Sequence, residues 1–153
     1  MSASIQDTYT RPRGFLGGIV SSKPVRSLPV KSLVATQRGK FVKLDANGDA
    51  TALTAVADVV AGVIMRENAM TPEAVAIGDE MLLCKEGDII VYCDKPAVKG
   101  LPVFARCIAN GAVVGDATID VDFTTVNNAV QINAVFAETT TVAGLVAITP
   151  NLV

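Results

Sequence analysis

From Leu33 onward the chain runs in short stretches of apolar and alternating residues, bounded by Gly, Asn, Asp and Pro, and no stretch sustains the period of a long helix. The runs KFVKLD and ATALT flank Asn47-Gly48, a pair suited to a two-residue type I′ hairpin turn because both central residues take positive φ there. DVVAGVIM supplies a further strand. EMLLCKEGDIIVYCD reads as a second hairpin bent at Lys85-Glu86-Gly87-Asp88, and LPVFARCIANGAVVG as a third that turns at Asn110-Gly111. TIDVDFTT places Ile119, Val121 and Phe123 on one face and Asp120, Asp122 and Thr124 on the other. Asn127-Asn128 then turns the chain into AVQINAVFAE, and GLVAITPNL ends it. In MTPEAVAIGDE, Thr71 stands as an N-cap and Pro72 as a first helical residue, so one helical turn is expected before Gly78. The pattern predicts an all-β fold, a small β-barrel or β-sandwich of antiparallel hairpins; the turn signals suit both.

Residues 1–34 follow no such period. Pro12, Pro24, Pro29 and Gly17-Gly18 break any helix, while Phe15, Leu16, Ile19, Val20, Val25, Leu28 and Val30 are too many apolar residues for a solvated tail. The expectation is an extended, basic, Pro/Gly-containing N-terminal arm over 1–34, lying along another surface, and a β-domain over 35–153; a disordered leader is the alternative. RPRGFLGGIVSSKP faintly copies a signal peptide, but its apolar part is short and glycine-rich and is followed at once by Lys23-Pro24, so no export is read from it. No run approaches the roughly 20 apolar residues of a membrane helix, and no membrane partner is expected.

Charge sharpens the division. Residues 1–43 carry eight Lys or Arg against one acid, for +7, and residues 44–153 carry five against fourteen, for −9. Half of all residues are apolar and 18% are charged, against roughly a quarter in typical domains. Such a surface is expected to be covered by a partner or by further copies of the chain.

Little chemistry is on offer. With no histidine, the Ser-His-Asp and Cys-His systems and His-ligated metals are excluded. Asp45, Asn47 and Asp49 suggest the start of a calcium loop, but Ala50 and Val56 stand where such a loop needs Gly and Glu, so the segment reads as a turn. Cys84, Cys93 and Cys107 read as small apolar strand residues. Asp116, Asp120 and Asp122 are the best carboxylate group, better read as a solvated strand face than as an acid–base or metal site. Arg106, alone in the apolar run PVFARCIA, is read as pointing to solvent, the alternative being a carboxylate across a subunit interface. GFLGG is not a phosphate loop, and nucleic acid is not an expected partner because the folded part is acidic and aromatics are few. No catalytic, metal or cofactor-binding residue is assigned and no cofactor is expected.

The order of the landmarks carries a resemblance. It runs through GKFVKL at 39–44, GVI at 62–64, Gly78-Asp79, GDIIV at 87–91, GLPVF at 100–104, NAVFA at 133–137 and AGLVAI at 143–148. Over residues 36–153 this resembles the structural cement, or capsid decoration, proteins of tailed bacteriophages. The resemblance implies a non-enzymatic virion protein, made in the host cytoplasm, that sits on the outer capsid surface, commonly as a homotrimer. Its partners would be the major capsid protein and itself, and its task to stabilise contacts between capsomers. The basic leader lies outside the quoted motifs. From its charge we expect a capsid-binding arm using Arg11, Arg13, Phe15, Lys23, Arg26 and Lys31. A host-surface or tail-associated binding module is the alternative function.

Overall fold

The computed structural model describes residues 14–20, 24–68, 70–108, 113–119 and 129–152. These contain strands and turns and no helix. The strands are β1 (Arg26–Lys31), β2 (Thr36–Gln37), β3 (Phe41–Leu44), β4 (Ala50–Thr51), β5 (Gly62–Ile64), β6 (Ala74–Val75), β7 (Glu80–Glu86), β8 (Ile89–Cys93), β9 (Pro102–Arg106), β10 (Ala117–Thr118), β11 (Ala129–Phe136) and β12 (Gly144–Pro150). Five form a sheet in the order β1-β7-β5-β3-β4, five close a barrel in the order β10-β8-β12-β11-β9, and β2 and β6 make a small ribbon. Barrel and open sheet thus occur together in one all-β chain.

Alternation explains the layers. In the sheet Phe41, Val63 and Cys84 face the core shared with the barrel, where they meet Ile89, Val91, Val103, Phe136, Val146 and Ile148. Their neighbours Val42, Ile64 and Leu83 point the other way, into a second core with Val30, Val75 and Met81. The sheet is therefore buried on both faces. β1 is its edge strand, opposite β7 from Arg26↔Glu86 to Lys31↔Glu80, and Pro29 sits there at the cost of no central ladder donor.

Three local expectations change. The run Glu80–Cys93 is not a hairpin: β7 pairs with β1 and β5, whereas β8 pairs with β12 and β10 in the barrel. The chain changes sheet at Gly87 (φ 127°): β7 feeds both cores, with Met81 and Leu83 in one and Cys84 in the other, whereas Ile89, Val91 and Cys93 of β8 lie in the core shared with the barrel. The β3–β4 turn falls at the expected place but is of another type. Gly48 N donates to Asp45 O and Asp45 N to Asp49 O, so Ala46 and Asn47 are central and Gly48 (φ 83°) closes a three-residue loop. The Asp45 carboxylate accepts from the Asn47 and Asp49 amides at 2.8 and 3.0 Å, which gives the acidic run its role in the turn. The helical turn expected from Thr71 is instead a turn at Asn68, whose Oδ1 accepts from the Met70 and Thr71 amides, followed by β6 pairing with β2. Burial of Val75 outweighs the local helix signal. β9 and β10 do pair antiparallel, while Asn110-Gly111, the 120–125 strand and Asn127-Asn128 lie outside the described residues.

A clasp made by residues 14–20 ties sheet to barrel. Gly17 N donates to Ile90 O at 2.8 Å, Ile90 N to Gly18 O at 3.0 Å and Val20 N to Asp88 O at 3.1 Å. On the other side Arg66 N donates to Gly17 O at 2.8 Å. Gly17 (φ 79°) is required there: a Cβ would lie 2.7 Å from Ile64 O and 2.9 Å from Arg66 N. Gly48 has a similar φ but open space around it. In denaturant titrations Gly48→Ala is expected to cost about 1 kcal/mol, and Gly17→Ala about 3 kcal/mol, since backbone must move as well. Equal midpoints for the two variants would contradict the clasp.

Candidate functional site: the arm and the sheet–barrel junction

Of the six residues expected to bind a capsid, Arg11, Arg13 and Lys23 lie outside the described residues. The other three are built into the fold. Phe15 is half-buried in the clasp, with the Arg66 guanidinium 4.8 Å over its ring, a contact worth about 1 kcal/mol. Arg26 Nε lies 3.4 Å from Glu86 Oε1, both side chains about half exposed, and Arg26 Nη2 donates to Leu152 O. An ion pair so exposed adds little stability. Lys31 is exposed at the end of β1, opposite Glu80. The described cations of the arm therefore stand along one edge strand, each with an acid of β7 nearby.

The charged groups that the fold takes out of water lie elsewhere, where the loop before β3 meets the barrel. Asp116 precedes β10 and is buried, and the Lys40 ammonium donates to its Oδ1. Alternation along β9 puts Val103, Ala105 and Cys107 in the core and turns Arg106 to the barrel's outer side, where Asp94 and Thr118 meet it. Arg106 is accordingly 3% exposed and pairs within the chain with Asp94, 2.9 Å from Nη2 and 3.0 Å from Nε. Both solvent readings, for Arg106 and for Asp116, are thus corrected: each is buried and paired. Burial pushes the Asp116 carboxyl above its ordinary range and Asp94 adds to this, while Lys40 and Arg106 pull it back. Asp120 and Asp122 lie outside the described residues. Lys40 and Asp94 carry no local sequence signal; only the topology brings them to Asp116 and Arg106.

Two further features frame the surface. The loop after β4 is pinned by Asp58, which accepts from the Thr54 and Ala55 amides at 2.7 and 2.9 Å and from Lys43 Nζ at 3.1 Å. The Thr54 amide foremost, with Ala55 and Lys43, holds the carboxyl down at about 2. The same loop presents Val59 to solvent, 82% exposed, and other turns present Met70, 91%, and Ile77, 70%. Cys84, Cys93 and Cys107 are buried free thiols, and burial raises Cys84 and Cys93 to about 11, far from a reactive thiolate. Among the described residues no three metal-ligating side chains converge. What the geometry offers is a rigid two-part body with apolar loop tips.

A family model described as "Structural cement protein (E217 gp24/Pam3 gp6)" matches residues 5–151. The chain belongs to the structural cement protein family. The matched span takes in most of the basic leader, which the motif resemblance over 36–153 leaves out. As a structural cement protein it is a component of the phage capsid, and its family role is structural. A chain from the solved structure titled "The capsid of Myoviridae Phage XM1" shares the fold, with a TM-score of 0.74 and 20% identity over 92% of each chain. No curated protein matches.

Two predictions follow from these charges. Asp116→Ala strands the Lys40 ammonium in the junction and should be about 3–5 kcal/mol less stable by urea titration than Asp116→Ala combined with Lys40→Met, which leaves no unpaired charge there. A double variant as unstable as the single would contradict the pairing. Asp58 is held below its unfolded value of 3.8, so its contribution is present above that pH and is lost as pH falls toward about 2. The stability gap between the parent protein and Asp58→Asn should stay level from neutral pH to about 4 and close below it; a gap that widens in acid would refute the assignment.

Proposed function

We propose that this cement protein sits on the outer capsid surface as a homotrimer, bridges neighbouring capsomers through contacts with the major capsid protein, and acts by structure alone. The family match over residues 5–151 carries this reading. The exposed apolar tips Val59, Met70, Ile77 and Val142 support it, since exposed apolar side chains are suited to burial against a partner.

The capsid contact is assigned to the basic N-terminal arm, with Arg11, Arg13 and Lys23 as its leading cations and Phe15, Arg26 and Lys31 continuing it onto the folded body. Attraction to an acidic capsid face weakens with salt, and three arms on one trimer multiply a modest single contact. Residues 14–34 include the clasp and β1, so the informative truncation removes only residues 1–13.

The test combines native mass with sedimentation on cement-free capsids, each at low and high salt. The full-length protein should keep the mass of a trimer in both salts. The variant lacking residues 1–13 should keep that mass and its unfolding midpoint but lose most of its capsid association, and association of the intact protein should fall in high salt. Undiminished association of the truncated chain would remove the arm's role; a monomer in both salts would remove the preformed trimer.

A further inference from the structure

The contact between Lys40 and Asp116 is set up for more than an ion pair. The two side chains are 11% and 3% exposed, and the Lys40 nitrogen lies against Asp116 Oδ1. The backbone holds them in place: Phe41 N donates to Gly115 O at 2.9 Å, and a Cβ on Gly115 would lie 3.2 Å from Lys40 Cβ. Arg106 N donates to Asp116 O at 2.9 Å and Asp94 N to Ala117 O at 3.1 Å, which seats both charged residues beside the pair. Arg106 donates to Asp94 Oδ2 and to Thr118 Oγ1, whereas Asp94 Oδ1 is buried and has no hydrogen-bond partner. The junction therefore gathers a primary amine on a carboxyl group, a second carboxylate with an oxygen to spare, and a guanidinium, in a place largely closed to water.

We propose that the folded chain joins Lys40 to Asp116 through an isopeptide bond between Nζ and Cγ, with Asp94 as a positioned proton relay. The atoms balance without an added reagent. A proton passes from the Lys40 ammonium to the Asp116 carboxylate, giving amine and acid, a direction favoured by burial, which raises Asp116. The amine nitrogen attacks Cγ and the N–C bond forms. One C–O bond then breaks, and its hydroxyl leaves as water with one proton from the nitrogen. Asp94 Oδ1 carries that proton across, and Arg106 offsets the charge that develops on the remaining oxygen. The product is a neutral amide that removes two opposed charges from a poorly solvated site and fixes sheet to barrel across 76 residues of chain. The reaction consumes no oxidant, so the link would form in a reducing compartment where a disulfide does not.

Intact-mass spectrometry of the purified full-length protein decides the matter. The expected mass is one water below that of the sequence, and a digest should yield a single branched peptide joining the Lys40 and Asp116 segments. Lys40→Arg and Asp116→Ala should each regain the full sequence mass for their composition. Asp94→Ala should slow the link, so that freshly made protein is a mixture that shifts with time toward the lighter form. A parent protein at full sequence mass, with Lys40 recovered in an unbranched peptide, overturns the proposal even if the variants fail to fold. An Asp94→Ala protein that links as fast as the parent overturns the relay.

Discussion

One continuous run, Glu80–Cys93, is shared by the two sheets, and the rest of the structure depends on how it turns between them. β7 lies between β1 and β5, β8 lies between β12 and β10, and only Gly87 and Asp88 separate the two strands. A backbone that must leave one sheet and enter the next within two residues needs unusual dihedrals and close packing, and a Cβ on Gly87 would meet Val25 Cγ2 at 3.0 Å. The corner also collects both flanks of the chain. Val20 N donates to Asp88 O, Leu152 N donates to Lys85 O, and Thr149 Oγ1 lies 2.8 Å from Asp88 Oδ1. Clasp and C-terminal strand thus close over the point where the sheets part.

The alternation in AVQINAVFAE is legible because from Gln131 to Phe136 β11 has one face in the barrel core and the other toward solvent, while Ala129 is buried out of phase. IIV in β8 is buried throughout, so no periodicity distinguishes a barrel strand from the second arm of a hairpin, and the Gly-Asp bend favours the hairpin reading. Pairing of β8 with β12 is a long-range choice made by packing, with no local mark. At residues 45–49 the glycine identifies a turn correctly, but the type is set by an aspartate side chain one position before the central pair. Thr71-Pro72 carries a sound helix-start signal that loses to the Asn68 turn and to the core position of Val75. The order of glycines and apolar strands carries the family resemblance: Gly87 sits at the change of sheet, and Gly62 lies inside β5, where a Cβ would come 2.9 Å from Cys84 O.

Arg106 shows the limit most clearly. A single arginine in an apolar strand points outward by period, and outward normally means water. Here outward leads to Asp94 and Thr118, and beside them Lys40 finds the carboxylate of Asp116. Such pairs add little net stability beside well-packed apolar groups, but they carry direction. Apolar surfaces alone tolerate sliding, whereas the contact of Lys40, just before β3, with Asp116, just before β10, is satisfied in one placement of sheet on barrel. That is a reason for the junction to be charged in a chain otherwise so poor in charge.

The clasp sets the path of mechanical load through the molecule. Tension on residues before Gly14 does not first reach β1, the edge strand that would peel one bond at a time. It meets Gly17 and Gly18, whose backbone bonds run to β8 on one side and to Arg66, just beyond β5, on the other. Force entering from the N-terminus is thereby divided between an interior strand of the barrel and the sheet beside it. Several bonds must then slide together before either gives way, so the body of the protein is loaded as a unit by whatever its leading residues hold.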